Sequence, residues 1–501
     1  MTNPLYDRLF TPLATRDVGF LTSSDGSLLS GREFMAIAAR QANALTAMGL
    51  RPGDRLAVQV EKSPQALALY AACVMAGIVF LPLNTAYTAS ELEYFITDSE
   101  AGGVVCSPAA EATVRGIVSV PVLTLGPAGE GSLTDAAATA SDTFIPAERS
   151  EGDLAALLYT SGTTGRSKGA MLSQSNLLSN ALALADLWRF TETDVLLHAL
   201  PIFHTHGLFV ASNVILASGG KMIFLPKFDI DQVIRFLPRA TSMMGVPTFY
   251  TRLLNDARFD RDLVKNMRLF TSGSAPLLAE THREFEARTG HRILERYGMT
   301  ETNMNTSNPY DGERRAGTVG FPLPGVELKI TDPETGATLE DGAVGIIEVR
   351  GPNVFQGYWQ MPEKTAAELR ADGFFITGDI GQIDADGYVQ IVGRAKDLII
   401  SGGYNIYPKE IELILDEQPG VLESAVIGVP HPDFGEGVVA VLVPQPGTSI
   451  DLEAIRSSIA ERIAKFKQPK VIEVLPELPR NTMGKVQKNL LRDQFGTAFA
   501  K

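Results

Sequence analysis

The sequence is poor in cysteine, histidine and tryptophan and has no excess of positive charge. Its 501 residues include two cysteines, Cys73 and Cys106, and six histidines. This scarcity excludes a four-ligand zinc site, and two thiols in apolar surroundings indicate buried residues in a reducing compartment. A net charge of −14 makes nucleic acid and anionic membrane surfaces poor partners. An anionic ligand must therefore be held by local cations and backbone donors.

The sequence also lacks an uninterrupted apolar run that favours a membrane span, and no secretory signal is visible at its N-terminus. The longest uncharged candidate, residues 66–83, contains Gly77 and Pro82. A buried helix over Pro64–Ala76, followed after Gly77 by a buried strand over Ile78–Leu81, explains this run better than a bilayer span. We therefore expect no membrane association and a cytoplasmic location.

Helical and extended patterns alternate along the first part of the chain, which is typical of α/β proteins with a mostly parallel sheet. A chain of 501 residues is too long for one ordinary core. After about residue 395 the pattern changes to short strands and one amphipathic helix over Asp451–Ile463. The sequence predicts an α/β fold with a large N-terminal domain, residues 1–394, and a smaller α+β domain, residues 395–501.

The segment Ser161–Gly169 is the most informative stretch of the chain. It follows the apolar run Leu154–Leu158 and combines three glycines, four hydroxyl residues and two cations. Glycines allow backbone N–H groups to converge on one ligand, while hydroxyls and Lys168 add donors and positive charge. The spacing differs from the Walker pattern of Gly, four residues, and Gly-Lys-Ser/Thr. The segment therefore predicts a polyphosphate site of another type.

Further motifs follow this loop in a fixed order. They are Tyr297–Thr302, Thr377–Asp379, Gly393–Asp397, Ser401–Gly403 and Pro479–Lys485. With these motifs the chain resembles the adenylate-forming superfamily, which contains acyl-CoA synthetases, adenylation domains and firefly-type luciferases. The resemblance covers essentially the whole chain. It implies mixed α/β subdomains in the large domain, a mobile small domain, and a ligase that uses ATP, Mg²⁺ and CoA and proceeds through an acyl-AMP.

The resemblance also implies a role for each motif. Lys485 matches the catalytic lysine, Thr300 a donor to the α-phosphate, and Glu301 the Mg²⁺ ligand; oxygen donors are what Mg²⁺ prefers. The residues implied in binding ATP or AMP are Thr160, Ser161, Gly162, Thr163, Thr164, Gly165, Lys168, Gly273, Ser274, Ala275, Glu295, Arg296, Tyr297, Gly298, Met299, Asp379 and Arg394. Those implied at the CoA channel or the hinge are His204, Lys396, Ser401, Gly402 and Gly403.

Three segments resemble malonyl-CoA synthetases within this superfamily: Phe203–Gly207, Gly273–Phe285 and Met299–Asn308. Malonate keeps one carboxylate after the other is activated, and a buried charge needs a cationic partner. The resemblance implies that Arg283 is this partner. It also implies further residues of the acyl pocket, namely Thr205, His206, Ser274 and Met304. Malonate is therefore the expected acid, with methylmalonate as a second substrate.

Simpler interpretations stay open for several residues. Arg283 lies off the helical face that Leu278 and Phe285 share, so it can be a solvated arginine. His206 can be a core histidine, and Lys396 a solvated linker charge. The alternative functions are another short-chain, medium-chain or aryl acyl-CoA synthetase, a carrier-protein-loading adenylation enzyme, and a nucleotide-binding module without catalysis. By resemblance, a protein acyltransferase and a deacylase acting on Lys485 are candidate partners.

Overall fold

The fold is described from a computed structural model that covers residues 2–160, 167–401, 404–481 and 484–499. The helices are α1 (Pro4–Leu9), α2 (Gly31–Ala47), α3 (Pro64–Ala76), α4 (Ala89–Asp98), α5 (Glu111–Ile117), α6 (Ser132–Ala138), α7 (Gln174–Leu187), α8 (Asn213–Ser218), α9 (Ile230–Phe236), α10 (Pro247–Leu254), α11 (Ala279–Thr289), α12 (Pro362–Glu368), α13 (Pro408–Asp416), α14 (Leu452–Arg462) and α15 (Lys488–Phe495).

The strands are β1 (Gly19–Thr22), β2 (Leu28–Ser30), β3 (Arg55–Gln59), β4 (Val79–Pro82), β5 (Gly103–Cys106), β6 (Val122–Thr124), β7 (Leu154–Thr160), β8 (Lys168–Ser173), β9 (Val195–His198), β10 (Lys221–Phe224), β11 (Ser242–Gly245), β12 (Leu269–Ser272), β13 (Leu294–Met299), β14 (Asn303–Ser307), β15 (Phe321–Pro322), β16 (Glu327–Thr331), β17 (Gly345–Arg350), β18 (Phe375–Ile383), β19 (Val389–Arg394), β20 (Ile399–Ser401), β21 (Tyr404–Ile406), β22 (Val421–His431), β23 (Gly435–Pro444) and β24 (Val471–Val474).

The chain divides into two compact units. Unit 1 comprises Met1–Glu327 and Val349–Phe375, and unit 2 comprises Leu328–Glu348 and Ile376–Lys501. Packing therefore groups residues 376–394 with the C-terminal part of the chain, whereas the sequence predicted one boundary after residue 394. The predicted boundary after residue 394 lies next to the predicted hinge at Lys396, and both stay predictions.

A six-stranded sheet in unit 1 contains the strands predicted at the start of the chain. Its order is β6-β5-β3-β4-β7-β8, and every neighbouring pair is parallel except β7 and β8. Helix α3 begins after its N-cap Ser63 and ends at Gly77, whose left-handed backbone redirects the chain into β4. Among the described residues, no helix is long and apolar enough to cross a membrane. Residues 66–83 thus form the predicted buried helix and strand.

A nine-stranded sheet forms the second sheet of unit 1. Its order is β15-β14-β13-β12-β11-β9-β10-β1-β2, and the run from β13 to β1 is parallel. The aromatic side chains of Tyr250, Phe270 and Phe285 pack edge to face in the core beside this sheet. Phe285 belongs to α11, and its packing against the other two rings determines which side of this helix faces the core.

Unit 2 contains most of the sheet β16-β17-β18-β19 and a five-stranded sheet formed by β20 to β24. The predicted strands and the amphipathic helix of the C-terminal part are present as β22, β23 and α14. Helix α14 buries Ile455 and Ile459 against a core cluster. The predicted α/β fold with a smaller α+β C-terminal part is confirmed.

Candidate active site

The carboxyl ends of three parallel strands place three predicted segments at one edge of the nine-stranded sheet. Strands β9, β12 and β13 run in the same direction and end at His198, Ser272 and Met299. The segments that follow them contain His204–His206, Gly273–Ala275 and Thr300–Glu301. In open α/β sheets this edge is where ligands bind. Sheet topology therefore brings together motifs that lie far apart in sequence.

His206 lies at the centre of this edge. It begins a π-helical segment, His206–Ser212, a conformation that often occurs at functional sites. Its side chain is fully buried, and its Nδ1 lies 3.1 Å from Ser274 Oγ. Its Nε2 has no hydrogen-bond partner among the described residues. An unsatisfied buried imidazole nitrogen is costly, so this atom is suited to a polar ligand.

Arg296 is the buried cation of this site. It lies on β13, is 4% exposed, and has no partner for Nε or Nη2 within the part of the chain that the structure describes. Burial lowers its pKa to about 9, so the guanidinium remains charged at neutral pH. A Cβ at position 273 would lie 2.1 Å from Arg296 Nη1, so only glycine leaves room for the guanidinium there. The charge of Arg296 also contributes to the low pKa of His206, which places the two groups in the same environment.

The position of Arg283 bears on its predicted role as the partner of the second malonate carboxylate. This residue is exposed on α11, whose buried face carries Thr281, His282, Phe285 and Thr289. The helical periodicity that keeps Phe285 in the core turns position 283 toward solvent. Arg283 is therefore not one of the buried groups around His206, and its role at the second carboxylate of malonate stays a prediction.

The other predicted pocket residues lie on β14 and on the segment before His206. Thr205 is buried and its Oγ1 donates to Asn303 Oδ1 at 2.6 Å. Met304 is buried on β14, and its carbonyl accepts hydrogen bonds from Asn180 and Asn353. These contacts tie the His204–His206 segment to β14. His204 is half-buried, and its Nδ1 accepts from the His206 N–H at 3.4 Å.

Several residues predicted to bind ATP or AMP surround the ends of β12 and β13. Ser274 adopts a left-handed backbone conformation, with φ of 70°, directly after Gly273. Ala275 and Tyr297 are half-buried. Glu295 is buried, and its Oε1 accepts from the Gly317 N–H and lies 3.4 Å from His282 Nδ1. Glu295 thus packs within unit 1, whereas Tyr297 borders the edge where the motifs meet.

A bulge in β13 accommodates Gly298. The register of β13 and β14 shifts between Tyr297 and Gly298, and a Cβ at position 298 would overlap the Asn303 carbonyl at 1.8 Å. Met299 ends the strand, and Thr300 and Glu301 form the following turn. The bulge therefore determines how the Thr300–Glu301 turn leaves the sheet.

The predicted phosphate loop joins β7 to β8. Thr160 ends β7 and Lys168 begins β8, and the two residues are paired in register. Most of the loop lies outside the described residues, namely Ser161, Gly162, Thr163, Thr164, Gly165 and Arg166. Lys168 Nζ lies 3.3 Å from Glu368 Oε2 and 4.1 Å from the ring centroid of Tyr358. Lys168 thus lies at the described end of the loop, and its contact with phosphate stays a prediction.

Glu301 supplies a buried carboxylate close to this cation. It is 5% exposed, and its Oε1 accepts a 3.0 Å hydrogen bond from the Tyr358 hydroxyl. The described residues contain no group of three or more His, Cys, Asp or Glu that could hold a metal. Mg²⁺ is commonly bound through one or two carboxylates together with phosphate oxygens and water. The donor chemistry of Glu301 fits this arrangement.

In unit 2, Asp379, which is predicted to bind ATP or AMP, is paired with Arg394. They face each other across β18 and β19, with 2.7 Å between Arg394 Nε and Asp379 Oδ1. Asp379 is 3% exposed, and its backbone N–H donates to Thr377 Oγ1. Arg394 also donates to the Thr377 carbonyl at 3.4 Å. These contacts fix the carboxylate in a defined orientation.

Lys485, also in unit 2, lies on a tight hairpin. Its backbone N–H donates to Asn481 Oδ1, and its carbonyl accepts from the Asn481 N–H. The strands of the hairpin pair at Arg480 and Val486, and Arg480 forms an ion pair with Glu423 on β22. The Lys485 side chain is exposed. The hairpin therefore presents the lysine on a fixed backbone at the surface of unit 2.

The remaining predicted residues of unit 2 surround β20. Lys396 is exposed in a single turn of 3₁₀-helix, Ala395–Asp397, and the neighbouring Asp397 pairs with Arg492 at 2.6 Å. Ser401 is buried at the end of β20. The predictions for Gly402 and Gly403 lie outside the described residues. The exposed turn at Lys396 is compatible with the predicted hinge, which stays a prediction.

Sequence reasoning missed a buried lysine and histidine that support His206. Lys62 Nζ lies 2.8 Å from His198 Nδ1 and from the His198 carbonyl, and 4.2 Å from the ring centroid of Phe224. His198 Nε2 lies 2.9 Å from the Gly207 carbonyl. Lys62 follows β3 and His198 ends β9, so the pair connects the two sheets of unit 1. No local motif marks this pair, because its members come from different sheets.

The buried histidines make a pH dependence of stability predictable. Burial lowers the pKa of His206 and His198 well below 6.5. The unfolded chain therefore binds more protons as the pH falls through about 6.5, and the free energy of unfolding decreases until the folded-state pKa is reached. We expect His206→Gln to reduce the slope of this decrease by up to about 1.4 kcal/mol per pH unit. Chemical denaturation at a series of pH values measures the slope.

The matched control for this prediction is His431→Gln in unit 2, because His431 is half-buried rather than fully buried. An identical slope in the wild type and His206→Gln would contradict the neutral, buried state of His206.

Known proteins are similar to this chain over its whole length. A family model described as "AMP-binding enzyme" matches residues 14–359, and one described as "AMP-binding enzyme C-terminal domain" matches residues 410–485. The chain is 60% identical in sequence to MatB from Rhodopseudomonas palustris, whose crystal structure was determined with ATP bound. The match covers 100% of each of the two chains, and their structures superpose with a TM-score of 0.97.

More distant relatives differ in the acid that they are named for. A malonate–CoA ligase from Arabidopsis thaliana is 35% identical, over 89% of this chain and 78% of its own length. A feruloyl-CoA synthase from Amycolatopsis sp is 37% identical, over 94% of this chain and 95% of its own length. Since similar identities accompany different acids, the acid must be argued from the residues of the site.

Proposed function

The chain belongs to the AMP-binding enzyme family, and we propose that it is a ligase that joins malonate to CoA at the expense of ATP. A carboxylate oxygen of malonate attacks the α-phosphorus of ATP, and pyrophosphate leaves with the bonding electron pair. The CoA thiolate then attacks the carbonyl carbon of malonyl-AMP, and AMP leaves. The products are malonyl-CoA, AMP and pyrophosphate.

The observation that carries the choice of acid is the buried, uncompensated guanidinium of Arg296. Its Nε and Nη2 have no partner among the described residues, and the same is true of Nε2 of the neighbouring His206. A monocarboxylic acid leaves no negative charge in the pocket after activation, whereas malonate leaves one carboxylate. A charge-assisted bond between that carboxylate and Arg296 satisfies the buried donors. We assign the buried side chains of Thr205 and Met304 to the acyl pocket.

The first half-reaction requires positive charge where phosphate and carboxylate approach each other. We assign Lys168 and the loop before it to the β- and γ-phosphates, and Thr300 to the α-phosphate. Glu301 would hold Mg²⁺, which when bound supplies positive charge to the phosphate oxygens. Lys485 is assigned to the carboxylate and the α-phosphate, because an ammonium on a flexible stem can donate to both. Asp379 accepts from the ribose hydroxyls, supported by Arg394.

Pyrophosphate release across a panel of acids tests the proposed function. We expect malonate to be activated best and methylmalonate second, because one additional methyl group changes binding by about 1–3 kcal/mol. Butyrate, benzoate and succinate serve as matched acids, with AMP and the thioester measured in the presence and absence of CoA. Best activity with butyrate or benzoate would identify another acyl-CoA synthetase. Efficient transfer to a carrier protein but not to CoA would identify a carrier-loading enzyme.

We further propose that the reaction takes place in the cytoplasm. Cys73 and Cys106 are both free and buried, which fits a reducing compartment. Exposure of Lys485 on its hairpin would also give a protein acyltransferase or deacylase access to it. Acylation of this lysine removes the charge that the first half-reaction needs.

A further inference from the structure

Tyr358 connects two groups that are assigned to the bound nucleotide. Its ring lies under the ammonium group of Lys168, 4.1 Å from the centroid. Its hydroxyl lies 3.0 Å from Glu301 Oε1 and 2.6 Å from Glu368 Oε2. Tyr358 is 2% exposed, so these contacts are formed away from bulk water. One side chain therefore contacts both the phosphate-loop lysine and the carboxylate that fits Mg²⁺.

The backbone of Tyr358 is held independently of its hydroxyl group. Its N–H donates to Thr365 Oγ1 at 2.9 Å, and the residue forms an antiparallel bridge with Ala170 on β8. The next residue, Trp359, donates its N–H to the Gly169 carbonyl. These contacts keep the ring beneath Lys168 even when the hydroxyl is removed. The hydroxyl therefore has a role that does not depend on maintaining the fold.

The two carboxylates around this hydroxyl have different partners. Glu368 also pairs with Lys168, at 3.3 Å, and with Lys364, at 2.6 Å. A phenol has one proton to donate, so its bonds to Glu301 and Glu368 compete. Lys364 neutralises Glu368 independently of Lys168, which weakens Glu368 as an acceptor and lets the hydroxyl donate to Glu301.

From these contacts we propose that Tyr358 is a positioning residue for nucleotide binding. Its hydroxyl orients the Glu301 carboxylate toward the metal that accompanies ATP, while its ring locates Lys168 beside the phosphates. This inference rests on the proposed function, because it takes Glu301 as the Mg²⁺ ligand and Lys168 as a phosphate contact. It assigns a role to a residue outside all of the motifs that the sequence singled out.

Binding of ATP to the full-length protein without malonate tests this role without any turnover. Isothermal titration calorimetry is performed with ATP in excess Mg²⁺ and with ATP in EDTA. We expect Tyr358→Phe to weaken binding of Mg²⁺-ATP about tenfold, the effect of losing a hydrogen bond to a charged group. Binding in EDTA should change less than about twofold, because the phenylalanine ring keeps its cation–π contact with Lys168.

Tyr159→Phe is the matched control. Tyr159 is on β7, next to the same loop, and its hydroxyl also donates to a carboxylate, Asp98, at 2.5 Å. The Tyr159→Phe variant is expected to leave the ratio of the ATP affinities in Mg²⁺ and in EDTA unchanged. If Tyr358→Phe lowers the affinity for ATP equally with and without Mg²⁺, the substitution causes a general structural defect and the proposal is wrong. If it changes neither affinity, the proposal is also wrong.

A double-mutant cycle provides the second readout. In a Glu301→Gln background, Tyr358→Phe should cause no further loss of Mg²⁺ dependence, because the hydroxyl acts through Glu301. Additive losses would show that Tyr358 acts elsewhere and would contradict the proposal. Failure of the wild-type protein to bind Mg²⁺-ATP would instead contradict the proposed function, so the two failures are distinguishable.

Discussion

Lys485→Ala is expected to abolish formation of malonyl-AMP while largely sparing thioester formation from supplied malonyl-AMP. The ammonium group is assigned to the negative charge that develops between carboxylate and α-phosphate, and that charge is absent in the second half-reaction. Removing one such donor typically lowers a rate by on the order of 10²–10³-fold. Malonate-dependent pyrophosphate release measures the first step, and AMP release from malonyl-AMP and CoA measures the second.

Lys465→Ala is a suitable control for this experiment. Lys465 is also an exposed lysine of unit 2, but it lies outside all of the motifs assigned to the nucleotide. It should leave both half-reactions unchanged. Equal loss of the two half-reactions in Lys485→Ala would contradict the assigned role, because the hairpin would then be required for the whole catalytic cycle.

Arg296→Met is expected to lower kcat/KM for malonate by about tenfold to a hundredfold, which corresponds to the loss of a charge-assisted hydrogen bond. The value for butyrate should be unchanged or higher, because butyrate has no second carboxylate to pair with the guanidinium. Methionine keeps an unbranched apolar side chain at the site and removes a buried charge that has no carboxylate partner among the described residues. The thermal unfolding midpoint should therefore not fall.

Arg283→Ala is the decisive comparison, because the sequence resemblance assigned the same role to Arg283. Its side chain is exposed on α11, so we expect the same kcat/KM for malonate as in the wild type. A selective loss of malonate activity in Arg283→Ala, with none in Arg296→Met, would restore the sequence-based assignment. Parallel losses for malonate and butyrate in Arg296→Met would assign Arg296 to nucleotide binding instead.

The secondary structure near the predicted phosphate loop followed from local sequence. The predicted helix Pro64–Ala76 coincides with α3, and the predicted strand Ile78–Leu81 overlaps β4. Capping by Ser63, the left-handed Gly77 and short buried apolar runs are local signals, so a single sequence contains them. The ordered motifs likewise indicated the family, because their chemistry is encoded by residue type and order.

The choice between Arg283 and Arg296 could not be made from the sequence. Helical periodicity already placed Arg283 away from the apolar face, but it did not indicate which other cation enters the pocket. That depends on β12 lying beside β13, which brings Gly273 next to the Arg296 guanidinium. Strand order is a property of the assembled sheet, and no local pattern contains it.

The sequence by itself therefore indicated the family and predicted the chemistry of the reaction: a phosphate loop with Lys168, a metal-binding carboxylate at Glu301 and a catalytic lysine at position 485. Only the tertiary structure decided which side chains are buried together at the edge of the nine-stranded sheet, as His206 and Arg296 are. The Tyr358 hydroxyl contacts Glu301, which lies 57 residues away in sequence, while the backbone of Tyr358 forms a bridge with Ala170 on β8. The residue type determines the chemistry that a side chain can perform. Burial and the packing of distant strands determine which side chains come together in one place.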